Sequence, residues 1–198
     1  MKVYVVYCHP DHESFTAAVR LRAVDSLTGG GHDVRVADLY AESFDPTLSL
    51  QEVLDHLHPP ESNPAIDGYC ADLKWCDTLV FIYPTWWSGP PAMLKGWLDR
   101  VLIRGVAWDL HDGATRITPL LTNVVRLIGI TTYGSSKFIN VLEGETGRRV
   151  IGRALKALCH RSARTTWLTM YDMDRSTPER RQAFLDHVVE RIGRLSPV

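Results

Sequence analysis

The chain has few cysteines, and their spacing indicates neither a metal site nor a disulfide framework. The four among 198 residues are Cys8, Cys70, Cys76 and Cys159, and no two of them form a CxxC pair. Secreted disulfide scaffolds and structural zinc sites both depend on regular, closely spaced cysteines. The cysteines are therefore predicted to be reduced thiols in a cytoplasmic protein, and no metal site is expected.

Long apolar runs and an excess of one charge are also missing. The apolar run at residues 1–7 is too short for a signal peptide, and no run approaches the roughly 20 apolar residues of a membrane span. Lys and Arg total 22 against 23 Asp and Glu, for a net charge of −1. We therefore expect no stable membrane insertion and no nucleic-acid partner.

The composition and the hydrophobic pattern predict one α/β domain over residues 1–198. Hydrophobic residues make up 45% of the chain and charged residues 23%, an ordinary globular balance. Short apolar runs predict strands at residues 3–8, 34–37, 78–83, 124–131 and 165–170. Amphipathic stretches predict helices at 14–27, 66–75, 92–102, 147–158 and 178–192, with one helical turn at 50–56 in a surface excursion (residues 40–64). The alternation predicts a doubly wound, five-stranded parallel sheet with helices on both faces.

The loop after the first strand is a candidate phosphate site. It contains neither GxGxxG nor GxxxxGK[ST], so the two common nucleotide fingerprints are absent. Ser14 and Thr16 nevertheless place hydroxyls and free backbone N–H groups at a helix N-terminus, which attracts anions. The alternative is that Ser14 only caps the helix and His9 only bonds within the loop.

Two further loops would lie at the same edge of the sheet, where open parallel sheets bind ligands. Trp86 and Trp87 follow a buried strand and could hold a flat heteroaromatic ring, although one of them could pack under the next helix. Residues 130–136 (ITTYGSS) offer orientable N–H groups that suit an anionic ring edge, or form an ordinary turn.

Three segments together resemble the flavodoxin-like NAD(P)H:quinone oxidoreductases, the group that includes diaphorase and the modulators of drug activity. They are His9-x4-Ser14-Phe15-Thr16, then Pro84-Thr85-Trp86-Trp87 running into residues 91–101 (PAMLKGWLDRV), then residues 130–134 (ITTYG). The middle string is long and specific, and the segments span about two thirds of the chain. The resemblance implies a flavodoxin-like fold and a flavin cofactor.

The resemblance also implies roles for these residues. The flavin phosphate and ribityl end would be held by His9, Ser14, Phe15 and Thr16. The isoalloxazine would be lined by Pro84, Thr85, Trp86 and Trp87, with Trp87 packed against it. N–H groups for its pyrimidine edge would come from Thr131, Thr132, Tyr133 and Gly134. The helix with Lys95, Gly96 and Arg100 would be structural and dimer-forming.

The chain departs from the family pattern at three places. The family commonly has Asn at the position of Thr16 and often Gly at that of Tyr133, so this loop is expected to have a different shape. Residues 137–147 contain neither a Tyr nor a His for charge relay, and catalytic residues are therefore not assigned.

The favoured function is a flavin-dependent reductase that passes a hydride from NAD(P)H to a quinone-like acceptor in ping-pong fashion. The alternatives are a flavin-binding regulatory subunit of a membrane potassium efflux system and a one-electron carrier, although such carriers are usually acidic. FAD is weakly favoured over FMN, because the excursion is long enough to help cover an adenine and because the resemblance leans towards the FAD-binding branch of the family. A homodimer with the flavin near its interface is expected by resemblance.

Other residues are interpreted as structural. His56 and His58 are predicted to be solvated, Cys8 to be a small buried hydrophobe rather than an activated thiol, and the arginines at 148 and 149 to be on a solvated helix face. A minor role in holding a pyridine-nucleotide phosphate stays open for those two arginines.

Overall fold

A parallel sheet forms the centre of the computed structural model, which describes residues 1–196. Its strands, with two short ones outside it, are β1 (Lys2–Tyr7), β2 (Asp33–Asp38), β3 (Thr78–Pro84), β4 (Trp108–Asp109), β5 (Thr118–Pro119), β6 (Arg126–Thr132) and β7 (Arg164–Met170). The order is β2-β1-β3-β6-β7 with every pair parallel, and β4 and β5 form a separate antiparallel pair. The predicted five-stranded α/β architecture is confirmed.

Helices cover both faces of this sheet. They are α1 (Phe15–Gly29), α2 (Leu50–Leu54), α3 (Asp67–Trp75), α4 (Ala92–Val101), α5 (Lys137–Leu142), α6 (Thr146–Arg149) and α7 (Pro178–Gly193). Alternate residues of the strands therefore enter two cores, one shared with α1 and α7 and the other with α3, α4 and the helical segment after α6. Every residue of β3 is buried, as its unbroken apolar sequence predicts. Within residues 1–196, each helix is too short or too polar to cross a membrane.

The strand order places a topological switch point at β1. The chain leaves β1 outward to β2 and then returns across it to β3, so the crossovers on the two sides of β1 run in opposite directions. A crevice opens between the loops that follow two such strands, and open α/β sheets bind their ligands there. The loops after β1 and β3 are the first two candidate loops.

Four features differ clearly from the prediction. β6 begins at Arg126 rather than at 124, because the Val124 amide bonds to Leu121 in a turn. The predicted helix 147–158 is in three parts: α6, a π-helical turn (Val150–Ala154) and a 3₁₀ turn (Leu155–Leu158). The short helix α5 and the β4–β5 pair were not predicted, since both are too short for a clear periodicity.

The excursion folds back onto α4. Pro46 lies against Gly96, where a Cβ would be 2.3 Å from the Pro46 carbonyl oxygen. Buried Arg100 donates from Nε to Glu52 Oε1 (2.8 Å) and from Nη1 to the Asp45 carbonyl (2.6 Å). The structural role predicted for this helix is confirmed, because α4 anchors the excursion through these contacts.

Candidate active site

The three predicted segments meet at the carboxyl ends of β1, β3 and β6. The His9 and Trp86 rings are in contact, with centroids 5.7 Å apart and planes inclined at 59°. The Thr85 amide donates to the Thr132 carbonyl at 2.8 Å, and the hydroxyls of Thr85 and Thr131 lie 2.9 Å apart. The loop after β3 is therefore joined to both of its neighbours.

The first loop combines a helix cap with free amides. Ser14 Oγ accepts from the Ala17 amide at 3.1 Å and donates to the Asp11 carbonyl at 2.7 Å, so its hydroxyl is already engaged, as the capping alternative stated. The amides of Phe15 and Thr16, by contrast, have no acceptor within residues 1–196. These two N–H groups begin α1, a helix of 15 residues, and form an anion seat there.

Two predicted residues of this loop have other contacts as well. His9 Nδ1 lies 3.0 Å from the Asp11 amide nitrogen, which orders the turn beneath Trp86. The Phe15 ring packs against Phe184 of α7 at 6.2 Å, so only the backbone of Phe15 faces the candidate site.

The loop after β3 contains a tight turn at residues 86–89. Trp86 and Gly89 exchange both backbone hydrogen bonds, at 3.0 and 3.1 Å, while Trp87 (φ 47°) and Ser88 (φ 60°) have left-handed backbones. Such conformations are rare outside glycine and often mark functional sites. Ser88 is fixed from outside by hydrogen bonds to Glu143 and Thr146.

The two tryptophans of this turn differ in exposure. Trp86 is 42% exposed and partly covered by His9, whereas Trp87 is fully exposed. Neither packs under α4, so that alternative is wrong. The contact of Trp87 with a flavin stays a prediction, while Trp86 is the indole that forms a wall with the first loop.

The third segment is more buried than predicted. Thr131 and Thr132 lie within β6, paired with β3 on one side and β7 on the other. The Tyr133 amide donates to the Met170 carbonyl at 2.8 Å, so its predicted role as an N–H donor to a ligand is wrong. The Gly134 amide has no acceptor within residues 1–196, and its role as a donor to a ligand stays a prediction.

The Tyr133 ring is buried at the edge of the site, and its hydroxyl has no hydrogen-bond partner within residues 1–196. Burial raises the pKa of Tyr133 above its usual value, so the hydroxyl is neutral at pH 7.

Sequence reasoning missed Tyr171 and Glu145. The Tyr171 ring stacks on Tyr133, with centroids 5.2 Å apart and planes 18° apart, and its hydroxyl donates to Glu145. Burial, and then the hydrogen bond to Glu145, raise the pKa of Tyr171. The position of Tyr171 directly after β7, at the same edge as the other loops, was a signal that could have found it.

The remaining sequence interpretations concern residues away from these loops. A cavity of about 810 Å³ lies between the excursion, α3 and α4, and none of the predicted site residues lines it. His56 packs on Trp108 with ring centroids 5.2 Å apart. No group of three or more His, Cys, Asp or Glu side chains in residues 1–196 could hold a metal ion. Cys8 is buried, and burial raises its pKa to about 12, which confirms that it is not an activated thiol.

Comparisons with known proteins agree with this geometry. The chain is 31% identical over 159 residues to a ribosyldihydronicotinamide dehydrogenase [quinone] of Pongo abelii; the match covers 69% of this chain and 65% of that protein. The chain thus spans slightly less than two thirds of that relative's length. An NAD(P)H:quinone oxidoreductase from Methanothermobacter marburgensis superposes with a TM-score of 0.80 at 25% identity, over 98% of each chain.

An FMN-dependent NADH-azoreductase from Bacillus anthracis, solved with FMN, has a TM-score of 0.78 at 15% identity over 98% of this chain and 99% of its own. At that identity the likeness shows the fold alone. A family model described as flavodoxin-like fold matches residues 1–194. The chain therefore belongs to this flavodoxin-like family.

Proposed function

We propose that the protein is a flavin-dependent oxidoreductase that takes reducing equivalents from NAD(P)H and passes them to a quinone-like acceptor. The observation that carries this proposal is the contact of His9 with Trp86 beside the free amides of Phe15 and Thr16. An aromatic wall and an anion seat, both at the switch point of the sheet, suit a planar ring with a phosphorylated tail.

The residues present fit a flavin. The amides that begin α1 would hold its phosphate, Thr16 and His9 would contact the ribityl chain, and Trp86 would lie along the ring. Gly134 would supply an N–H group to the pyrimidine edge. Trp86 and Gly134 are exposed, and the amides of Phe15 and Thr16 have no acceptor within residues 1–196, whereas His9 is half-buried and already bonds to Asp11 through Nδ1.

A bound flavin would supply the two-electron chemistry, and the chain would bind, orient and shield the reactants. Because no second nucleotide motif is present, we propose that reductant and acceptor use the same face in turn. Tyr171, hydrogen-bonded to Glu145 and stacked on Tyr133, is placed to hold a proton near the acceptor. The raised pKa of Tyr171 keeps its phenol protonated at pH 7.

The choice between FMN and FAD depends on whether the site also holds the adenylate end of FAD. The weak preference for FAD depended on the resemblance and on the excursion, which packs against α4 through Pro46 and Arg100. No hydrogen bond within residues 1–196 joins the excursion to the loop at residues 8–16. FAD thus stays a prediction without support from this packing, and the flavin part shared by both cofactors is what we propose.

A homodimer is the proposed assembly. Exposed apolar side chains cluster on α2 and α5, two short helices that would otherwise have little reason to expose them. They are Leu50, Val53, Leu54, Phe138, Val141 and Leu142. Trp87 is also fully exposed, so a second copy would cover it beside the flavin. Light scattering on purified protein tests this assembly, and a monomer at micromolar concentration would contradict it.

The cofactor and the activity are tested in one preparation. Purified protein should show flavin absorbance, and the extracted flavin should have the mass of FMN or FAD. NAD(P)H should bleach the absorbance of the bound flavin, and added quinone should restore it. Trp86→Ala should weaken flavin binding about fivefold, since one aromatic contact is worth about 1 kcal/mol. Trp86→Phe is the matched control and should retain most of the affinity. Protein that cannot be reconstituted with either flavin would refute the proposal.

The regulatory-subunit alternative receives no support. The relatives reported above are named as oxidoreductases. The net charge of −1 is likewise not the acidic excess that one-electron carriers usually have.

A further inference from the structure

A second cavity of about 520 Å³ lies along the edge of the sheet and shares only Glu145 with the site described above. The helical segment 144–156 forms one wall, and the edge strand β7 forms the other through Thr165 and Trp167. We call this cavity the edge groove. Its volume falls in the range of small-molecule sites.

The edge groove is lined by an excess of positive charge. Its cations are Arg148, Arg149, Arg153 and Lys156, and Glu145 is its one acidic residue among the lining residues described. Only Arg148 among these cations has an ion pair within residues 1–196, and that pair is with Glu145 at 3.3 Å. Three cations thus face the groove without a carboxylate partner, in a chain whose net charge is −1.

The groove begins at the candidate active site. Glu145, at its near end, accepts the hydrogen bond from Tyr171, which stacks on Tyr133. Thr146 beside it donates to the carbonyl of Ser88, in the turn that carries the two tryptophans. From Glu145 the chain leads away through α6 and the π-helical turn to Arg153, eight residues further on.

We propose that the edge groove holds the phosphorylated adenosine end of NADPH, with Arg153 and Lys156 on the 2′-phosphate. This inference rests on the proposed function and selects between its two reductants. A dinucleotide with its nicotinamide at the active site must extend its other end across the surface, and the groove leads there from Tyr171. A phosphate monoester is a dianion that arginine binds bidentately, so unpaired guanidinium groups favour it over the 2′-hydroxyl of NADH.

The confined shape of the patch favours a mononucleotide-sized ligand over a polymer or a membrane. The cations line one cavity with a tryptophan in its wall, whereas a nucleic-acid surface has basic residues spread over a whole face. Trp167 provides an aromatic wall beside the cations, and an adenine suits such a wall.

The test measures binding apart from turnover. The flavin-loaded protein is titrated with 2′,5′-ADP and, separately, with 5′-AMP, and calorimetry measures the binding. The dissociation constant for 2′,5′-ADP should be at least tenfold lower than that for 5′-AMP. Arg153→Glu should weaken 2′,5′-ADP binding about tenfold or more. It should lower kcat/KM for NADPH by the same factor, while kcat/KM for NADH should change by less than twofold. The Arg153 side chain is exposed and faces the groove without an ion-pair partner within residues 1–196, so the variant should fold.

The matched control is Arg191→Glu, the same charge change on an exposed position of α7, across the sheet from the groove. It should leave the preference for 2′,5′-ADP unchanged, and Arg153→Lys should retain most of the affinity. Equal binding of 2′,5′-ADP and 5′-AMP, or equal losses in Arg153→Glu and Arg191→Glu, would overturn the inference. If neither NADH nor NADPH bleaches the flavin, the proposed function fails, while the 2′,5′-ADP titration still decides whether the groove binds a phosphoadenosine.

Discussion

Gly96 on α4 provides the sharpest test of how the excursion is attached to the domain. A Cβ at this position would lie 2.3 Å from the carbonyl oxygen and 2.5 Å from the Cα of Pro46. Both are backbone atoms, so no change of rotamer relieves the clash, and the excursion must move away from α4. One turn later, Arg100 holds Asp45 and Glu52, and these hydrogen bonds lengthen when the excursion moves.

Two opposite contributions determine the result of Gly96→Ala. Alanine favours a helix interior over glycine by about 1 kcal/mol. Overpacking costs about 1–3 kcal/mol, and weakening the buried Arg100–Glu52 pair adds to that cost, since complete loss of one partner of such a pair costs about 3–5 kcal/mol. We expect the clash to exceed the gain, and the free energy of unfolding to fall by about 2 kcal/mol.

The matched control is Gly68→Ala on α3, where a Cβ would meet nothing within 4 Å. Here only the helix preference acts, so stability should rise by about 0.5–1 kcal/mol. Urea unfolding of both variants measures the difference. If Gly96→Ala is as stable as Gly68→Ala, the close approach of Pro46 and the anchoring role of α4 are refuted.

Three further predictions follow from local contacts. Ser14→Ala removes the acceptor of the Ala17 amide and should lower the free energy of unfolding by about 1 kcal/mol, as measured in urea; an unchanged stability would argue against the cap. All four cysteines are buried, and burial raises their pKa to about 11 for Cys70 and about 12 for the other three, so a thiol reagent at pH 8 should label none without denaturant. Burial raises the pKa of Glu52, but hydrogen bonds from Arg100 and Ser49 outweigh it and leave the pKa below its usual value. The stability advantage over Glu52→Gln should therefore be present above about pH 4.5 and should shrink as the pH falls further; an advantage that does not depend on pH would contradict this.

The sequence predicted the parts of the fold that strong local signals determine. Strand β3 is apolar throughout, and α7 begins with Thr177 as its cap and Pro178 in its first turn, so both were placed within a residue or two. Helix α5 was missed because it has only six residues and exposes apolar side chains such as Phe138 and Leu142. It therefore lacks the pattern of buried apolar and exposed polar positions by which a surface helix is recognised. The segment 147–158 was predicted as one helix, because hydrophobic spacing does not distinguish an α-helix from a π-helical turn followed by a 3₁₀ turn.

The candidate site was predicted in its location but not in its details. The rule that ligands bind at the carboxyl ends of parallel strands selected the right loops, and contacts such as His9 with Trp86 confirm that they meet. Which backbone amides remain free depends on long-range pairing: Tyr133 bonds to Met170, a residue 37 positions later in β7. Sequence patterns carry no information about that partner.

The strained turn at residues 86–89 connects the candidate site to the edge groove. Trp87 and Ser88 have left-handed backbones that cost about 1–3 kcal/mol each, so surrounding contacts must hold them. Those contacts come from Glu143, at the end of α5, and Thr146, at the start of α6. Because the cations of the groove follow on the same helical segment, Glu143 and Thr146 join the turn that presents the tryptophans to the wall that presents the arginines.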